Sequence, residues 1–534
     1  MQHNHSSVKK VFLGLAFIGG LMLLSLFSVQ KGWSLTESQV KALERELNQA
    51  LSKAGLPQRH FGLAVSHSSP EGPKSIWAIN ESQKMIPASL TKIVTAAAVL
   101  ENLGPGKRLE THLLTTAPVK DGRLEGDLYL RGGGDPGFVS ESMWFLVNEF
   151  LRSGVKQISG DIVVDDSLFD SVRFDPSREP GRVDRAYDAP IGAMSFNWNA
   201  VNIFIRPGPQ PRGPAQVYLD PQNSYLDMVN NTRTQGRGRN LSVKREVMSR
   251  SQQGQNQRLG LGAKTAAANP ISQSSDEVYD RFSVSGHIGS NVDEVTIYRN
   301  ISRPDLWSGH NLVAFLQQRG VEVKGQVRTG TTPSAARSLA KVESKPMSHM
   351  VNDLMKFSNN FVAEMLTKGL AAHSLANRGP NGRALASGKR ASGASLEQGM
   401  QALKDYVLSA GIGADQFNLV NPSGLSRQNQ FRPVDLVQLL NHLRDQPSYF
   451  PELLSSFPIA GVDGTLQSRF NNSSTAKGRI RAKTGLLNGV VGLAGYAPTN
   501  DGELLSFAFV YNGPAKHTHR AREILDDLAQ ILTQ

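Results

Sequence analysis

Apolar residues along the chain fall into alternating helix-like and strand-like blocks. Between 36 and 54, Leu43, Leu47 and Leu51 recur four apart behind a Thr36/Gln39 capping pair, which predicts an amphipathic helix. FGLAVS (61–66) and SIWAI (75–79), separated by Ser, Pro and Gly, predict a hairpin. Pro87 then precedes ASLTKIVTAAAVLENLG, a helix pattern that stops at Gly104. Two strands around Asp121-Gly122 and a Gly-rich turn at Gly132, Gly133 and Gly134 fit within 113–136. A helix near 140–153 and the strand DIVVD (161–165) come next.

Strand-like segments return at 281–298, followed by helices near 308–319, 347–370 and 396–411. A Gly/Arg/Ser/Asn-rich loop (375–394) separates the last two helices. Apolar strand patterns at 489–497 and 504–511 and a helix at 521–532 close the chain. Strands at both ends with helices between predict an α+β domain that is interrupted and then completed. Residues 230–275, rich in Arg, Gln, Gly, Ser and Asn, predict a flexible basic excursion at the surface. No internal repeat is present.

The N-terminus adds an address. Residues 1–10 carry Lys9 and Lys10 and no acid, and residues 11–29 contain no charge. A basic start before an apolar run is an export signal, here long enough to overlap a spanning helix. Residues 1–35 are therefore a signal peptide or a signal anchor. The remainder is expected to be periplasmic or extracytoplasmic, either secreted after cleavage or held at the inner membrane by 11–29.

Composition then narrows the function. A chain of 534 residues predicts two to four domains. The absence of Cys excludes a disulfide framework, a thiolate zinc site and a Cys nucleophile. With 58 basic against 46 acidic residues, the net charge of +12 favours polyanions: nucleic acid, anionic headgroups or an acidic wall polymer. Export removes nucleic acid from that set.

Exported acyl-transfer chemistry calls for a serine beside a base, and Ser with Lys three residues on places both on one helical face. That spacing occurs seven times, and context selects Ser89 and Lys92. Ser89 stands at the start of an apolar helix, and Lys92 lies one turn in, where desolvation favours loss of its proton. A Ser N-cap with a snorkelling Lys is the competing structural reading. Two further elements outweigh it: Ser358-Asn359-Asn360 inside the apolar pattern LMKFSNNFVAEML, and Lys483-Thr484-Gly485 leading into a strand pattern.

With these three motifs in this order, the chain resembles the low-molecular-mass class C penicillin-binding proteins, the D-alanyl-D-alanine carboxypeptidase/endopeptidase family. GDLYLRGGGDP (126–136), GDIVVDDSLFD (160–170), APIGAMSFNWN (189–199), NPSGLSRQN (421–429) and AGVDGTLQSRF (460–470) extend the resemblance over about 36–534. Ser89 and Ser358 are 269 positions apart, far more than a single-domain β-lactamase allows. The resemblance thus implies a penicillin-binding domain of the serine β-lactamase/transpeptidase type, with an antiparallel sheet and helices. It would be formed by 36–107 plus 330–534. The insert, 108–329, would hold one or two smaller α/β or mainly β domains.

The resemblance also implies roles. Ser89 attacks a D-Ala-D-Ala carbonyl and Lys92 takes its proton. Ser358 relays a proton to the leaving amine, and Asn360 holds the substrate amide and Lys92. Lys483 and Thr484 bind the terminal carboxylate, while Gly485 and Leu486 complete the substrate strand, Leu486 donating its N–H to the oxyanion. Tyr187, with Asp184 as a candidate acid, stands where the family contacts the diamino acid of the stem peptide; a buried insert tyrosine is the competing reading. Leu486 replaces a usual Thr, and Asn421-Pro422 replaces a frequent Asp-Gly. Implied partners are peptidoglycan stem peptides and β-lactam antibiotics, with no cofactor and no metal. Contact with the membrane through the N-terminal segment and homodimerisation stay open, as does the division between carboxypeptidase and endopeptidase.

Rival readings are weaker. A metal endopeptidase would rest on His349 with Asp353 and His517 with His519, the latter in a Gly/Pro loop that does not aim both at one ion. Arg237-Gly238-Arg239 lacks the interleaved aromatics of an RNA-binding segment. A wall-binding protein without catalysis would have no need of Ser89, Lys92 and Lys483 together.

Overall fold

The computed structural model describes residues 35–69, 72–178, 184–249, 278–378 and 392–534. The segment 11–29 and residues 250–275 of the basic stretch lie outside the described residues. Among the described residues no helix is long and apolar enough to cross a membrane.

The helix Glu37–Lys53 carries the expected capping box, with Thr36 and Gln39 satisfying each other's backbone N–H groups. The expected hairpin, Phe61–Ser69 with Gly72–Ile79, pairs on its other side with Leu504–Asn512 from the far end of the chain. The full antiparallel order is Arg481–Leu487, Val490–Pro498, Leu504–Asn512, Phe61–Ser69, Gly72–Ile79. One face packs under the two terminal helices, with Leu47, Leu51, Ile524 and Leu528 against Leu63, Leu493 and Phe509. The other face, with Ala64, Ala494 and Val510, packs on the helical half of the molecule. Burial on both faces explains why Val490–Pro498 reads as one apolar run instead of an alternation.

At the centre of the helical half runs Lys92–Leu103, in which every residue from Lys92 to Leu100 is buried. A helix apolar all round has to be enclosed, and this one touches Met347–Lys356, Asn360–Arg378 and Leu396–Ser409. Gly104, at φ +80°, ends it.

A second core extends from Leu113 to Ala340. Its largest sheet runs Val327–Thr329, Ile162–Asp165, Leu128–Arg131, Glu110–Thr115, Arg337–Glu343, with the helices Ser140–Leu151 and Pro304–Gln318 packed on it. Two three-stranded sheets share the same cluster, within which the buried Trp307 donates its indole N–H to the Phe196 carbonyl at 2.9 Å.

Two expectations change. The described part of 230–275 is not an irregular excursion. Leu226–Thr234 and Arg239–Ser249 flank Val278–Ile288 in a regular three-stranded sheet. Val243 packs with Phe282 and Val284 while Ser242, Lys244 and Glu246 face solvent, so the polar bias hid a period-two strand. The helix expected over 347–370 is two helices, Met347–Lys356 and Asn360–Arg378. Ser358 sits at φ +55°, a left-handed conformation through which a right-handed helix cannot pass. Both helices bury residues in the same core, so the apolar period ran on across the break.

Candidate active site

Ser89 lies in the 3-10 turn Ala88–Thr91, which leads directly into Lys92–Leu103. That turn is held from two sides by glycines. A Cβ on Gly485 would stand 2.7 Å from the Pro87 carbonyl oxygen, so only glycine lets the strand Arg481–Leu487 lie against the serine. Gly424, at φ +79°, approaches so closely that a Cβ would sit 2.0 Å from the Ala88 carbonyl oxygen. Ala88 itself is left-handed at φ +48°. Gly424→Ala is expected to cost about 2–4 kcal/mol of stability and to slow acylation at least ~10-fold, read from a melting curve and a penicillin-labelling time course.

Lys92 Nζ is within hydrogen-bond distance of three oxygens: Ser89 Oγ at 3.0 Å, Asn360 Oδ1 at 2.7 Å and the Ser423 carbonyl. Ser89 Oγ also lies 3.4 Å from that carbonyl. Burial, and next the charge on Lys483, holds Lys92 well below the usual lysine range, against an upward pull from Glu364. Lys483 Nζ donates to Ser358 Oγ at 2.8 Å and to the Thr484 carbonyl at 3.0 Å, and burial brings it down to about 7. The left-handed turn at Ser358 aims that hydroxyl at Lys483 while Asn360 opens the next helix beside Lys92.

The three motifs thus converge on one cleft. Thr484 Oγ1 is 2.8 Å from Thr465 Oγ1, which belongs to AGVDGTLQSRF. The loop carrying Thr465 is pinned by buried Lys356, bonded to the Phe457 carbonyl (2.6 Å) and to Asp463 (2.7 Å). Leu486 points outward, 61% exposed, so its side chain leaves the backbone at that position accessible. The strand Arg481–Leu487 is the sheet edge, meeting Ile459 at its first residue. Such an edge accepts an extended peptide as an added strand.

Tyr187 is half exposed, and its carbonyl lies 3.5 Å from Asn360 Nδ2, at the rim of the same cleft. The competing reading of a buried insert tyrosine does not hold. Asp184 faces cations instead, 3.6 Å from Arg299 and 3.8 Å from Arg185.

One supporting residue, read in the sequence only as a departure from the family pattern, is Asn421. Its Oδ1 accepts from Ser423 N (3.0 Å), Ser423 Oγ (2.7 Å) and Leu425 N (3.1 Å), shaping the turn that presents the Ser423 carbonyl to Lys92. Its Nδ2 donates to Asp175, 246 positions earlier in the chain, at 2.7 Å. An Asp at 421 would set two buried carboxylates against each other, so the Asn matches Asp175. Among the described residues no group of three His, Cys, Asp or Glu side chains is placed to hold a metal ion, and His519 pairs with Glu523 at 3.2 Å.

Comparison with known proteins gives the family of the chain. Residues 43–534 match the D-Ala-D-Ala carboxypeptidase 3 (S13) family. A D-alanyl-D-alanine carboxypeptidase of an Actinomadura species is 30% identical over 82% of this chain and 76% of its own. A D-alanyl-D-alanine carboxypeptidase of Haemophilus influenzae is 28% identical over 81% of this chain and 82% of its own. The crystal structure of penicillin binding protein 4 from Haemophilus influenzae superposes with a TM-score of 0.70 at 24% identity, covering 91% of this chain and 97% of that one. A sequence match over nearly the whole chain and a shared α+β fold lead to one conclusion: the chain belongs to the D-Ala-D-Ala carboxypeptidase 3 (S13) family of serine D,D-peptidases.

Proposed function

We propose that Ser89 is the nucleophile and Lys92 the general base of a D,D-peptidase that forms and hydrolyses an acyl-enzyme on peptidoglycan stem peptides. The observation that carries this reading is the set of partners around Lys92 Nζ. A neutral amine has two N–H donors and one lone pair. Asn360 Oδ1 and the Ser423 carbonyl can only accept, so they take the two donors and leave the lone pair facing the Ser89 hydroxyl. Burial supplies the other requirement, a lysine that sheds its proton readily.

Ser89 Oγ then attacks the carbonyl of the D-Ala-D-Ala bond as its proton passes to Lys92. The oxyanion lies between the N–H groups of Ser89 and Leu486, each such donor worth ~3 kcal/mol in the transition state. Ser358, bonded to Lys483, passes a proton to the departing amine as the C–N bond breaks and takes in exchange the proton that Lys92 received from Ser89, which returns Lys92 to the free amine. Lys483 and Thr484 bind the terminal carboxylate, and Gly485 lets the substrate strand approach. Asn360 orients the substrate amide, and Tyr187 contacts the diamino acid from the rim. Water, activated by Lys92, releases the acyl group. A β-lactam follows the same path and stalls as the acyl-enzyme; a crystal structure of the Haemophilus influenzae protein is a complex with a β-lactam. The catalytic domain in this reading is 36–107 plus 330–534, with 108–329 as the insert that supplies Tyr187. Since peptidoglycan lies outside the cytoplasmic membrane, the protein acts there, delivered by the segment 11–29.

The test is incubation with a labelled penicillin and with a pentapeptide ending in D-Ala-D-Ala, with mass mapping of the adduct. A stable adduct on the Ser89 peptide and release of D-Ala are expected; absence of both from folded protein would leave a wall-binding role in their place. Cross-linked muropeptides in the same assay divide endopeptidase from carboxypeptidase.

A pH profile follows from the two lysines. Acylation at low substrate is expected to rise as Lys92 loses its proton and to fall above about pH 7 as unliganded Lys483 loses its own. A bound carboxylate favours the Lys483 cation, so the alkaline limb of kcat should lie at higher pH than that of kcat/KM. Coincident alkaline limbs would separate Lys483 from carboxylate binding.

A further inference from the structure

Behind Lys92 lies a buried ionic cluster that none of these steps uses. Glu364 is one helical turn beyond Asn360, so both side chains leave the same face of Asn360–Arg378. The Glu364 side chain is wholly buried. Its Oε2 accepts from Arg178 Nη2 at 2.5 Å, while Oε1 has no hydrogen-bond partner among the described residues. Arg178 comes from the insert, and its Nη1 is 4.0 Å from Asp188, the neighbour of Tyr187. Asp175, from the same stretch, bonds Asn421, whose turn presents the Ser423 carbonyl to Lys92.

Two carboxyls, those of Glu364 and Asp188, therefore share one guanidinium behind the active-site lysine, with a third, that of Asp175, nearby. Burial, reinforced by Asp175, pushes Glu364 up to about 7, while Arg178 and Lys92 pull it down. Glu364 in turn raises Lys92, and Lys483 lowers it from the other side. Lys368, the next turn of the same helix, is held by Asp170 and the Val172 carbonyl. A buried carboxyl that is half satisfied is costly to keep unless its charge is used.

We propose that Glu364 is a positioning residue of the peptidase reaction. Clamped by Arg178, it locks the helix bearing Asn360 to the inserted segment bearing Tyr187, and its charge sets how readily Lys92 takes the Ser89 proton. The proposal rests on Lys92 being the base. A charged Glu364 favours the Lys92 ammonium; a neutral one favours the free amine. The two groups titrate as a pair, so the acidic limb of acylation reports both.

The experiment is stopped-flow acylation of the full chain by a fluorescent penicillin from pH 5 to 10, for wild type, Glu364→Gln and Asp175→Asn. Glu364→Gln keeps the shape and removes the charge, so the acidic limb should move to lower pH by about 0.5–1 unit. Asp175→Asn can still accept from Asn421 through its one amide oxygen, giving up the bond from Ser177 N, and removes the carboxylate that raises Glu364. Glu364 then stays charged to lower pH, and the limb should move upward. A merely structural role would alter melting temperature and amplitude without moving the limb. Superposition of the Glu364→Gln limb on wild type overturns the proposal. If that variant does not fold, an Asp175→Asn limb that fails to rise overturns it alone. Failure of the wild type to be acylated at Ser89 would instead sink the functional reading, which separates the two.

Discussion

Ser89→Ala is expected to give no covalent penicillin adduct and to lower D-Ala release by at least ~10⁴-fold, with the fold intact. The loss is large because the variant lacks the atom that becomes bonded to the acyl group, and no other described hydroxyl reaches Lys92 within hydrogen-bond distance. Ser358 is engaged by Lys483 instead, 2.8 Å away, and cannot substitute. Stability should change by less than ~1 kcal/mol, since apart from Lys92 the Ser89 hydroxyl meets the Ser423 carbonyl only at 3.4 Å. Intact mass spectrometry after penicillin treatment, beside a melting curve, reads both quantities. An adduct persisting elsewhere in the protein would reject Ser89 as the nucleophile.

Lys92→Met should lower the acylation rate by at least ~10³-fold, within the range of removing a general base from a nucleophile it activates. The stability change is a balance. Methionine avoids burying an amine in an apolar helix, which is favourable. It also leaves Asn360 Oδ1 and the Ser423 carbonyl without their donor, costing about 1–3 kcal/mol each. Modest destabilisation is the expected sum. Lys92→Arg sharpens the test, because guanidinium retains the charge and the donors but cannot give up a proton. Comparable inactivity of Met and Arg variants assigns Lys92 as base; an active Arg variant would reduce it to an electrostatic or structural cation.

The three motifs were legible because each is local. Ser89 and Lys92 are one turn apart, Ser358-Asn359-Asn360 and Lys483-Thr484-Gly485 are contiguous, and each sits beside an apolar run with a clear period. The geometry joins all three in one hydrogen-bonded group. Other parts of the site were hidden for definite reasons. Asn421 looked like a departure from the family pattern because its partner, Asp175, is 246 positions away. Glu364 carried no signal of its own, since nothing near it in sequence announces Arg178. The break at Ser358 was masked because two helices packing on one core continue one apolar pattern.

By itself, the sequence determined what depends on neighbours within a few residues. That includes the Thr36 capping box, the stop at Gly104, the Phe61–Ser69 hairpin and the order of the three motifs. Tertiary structure alone decided which distant groups meet. The two ends of the chain complete one sheet, Lys92 finds its acceptors at Asn360 and Ser423, and the Arg178 guanidinium reaches Glu364 across 186 positions. The physical reason is that periodicity and capping are set by backbone geometry over one or two turns. Desolvation and hydrogen-bond partnership are set by whatever the fold brings to within about 3 Å, and no local period encodes that.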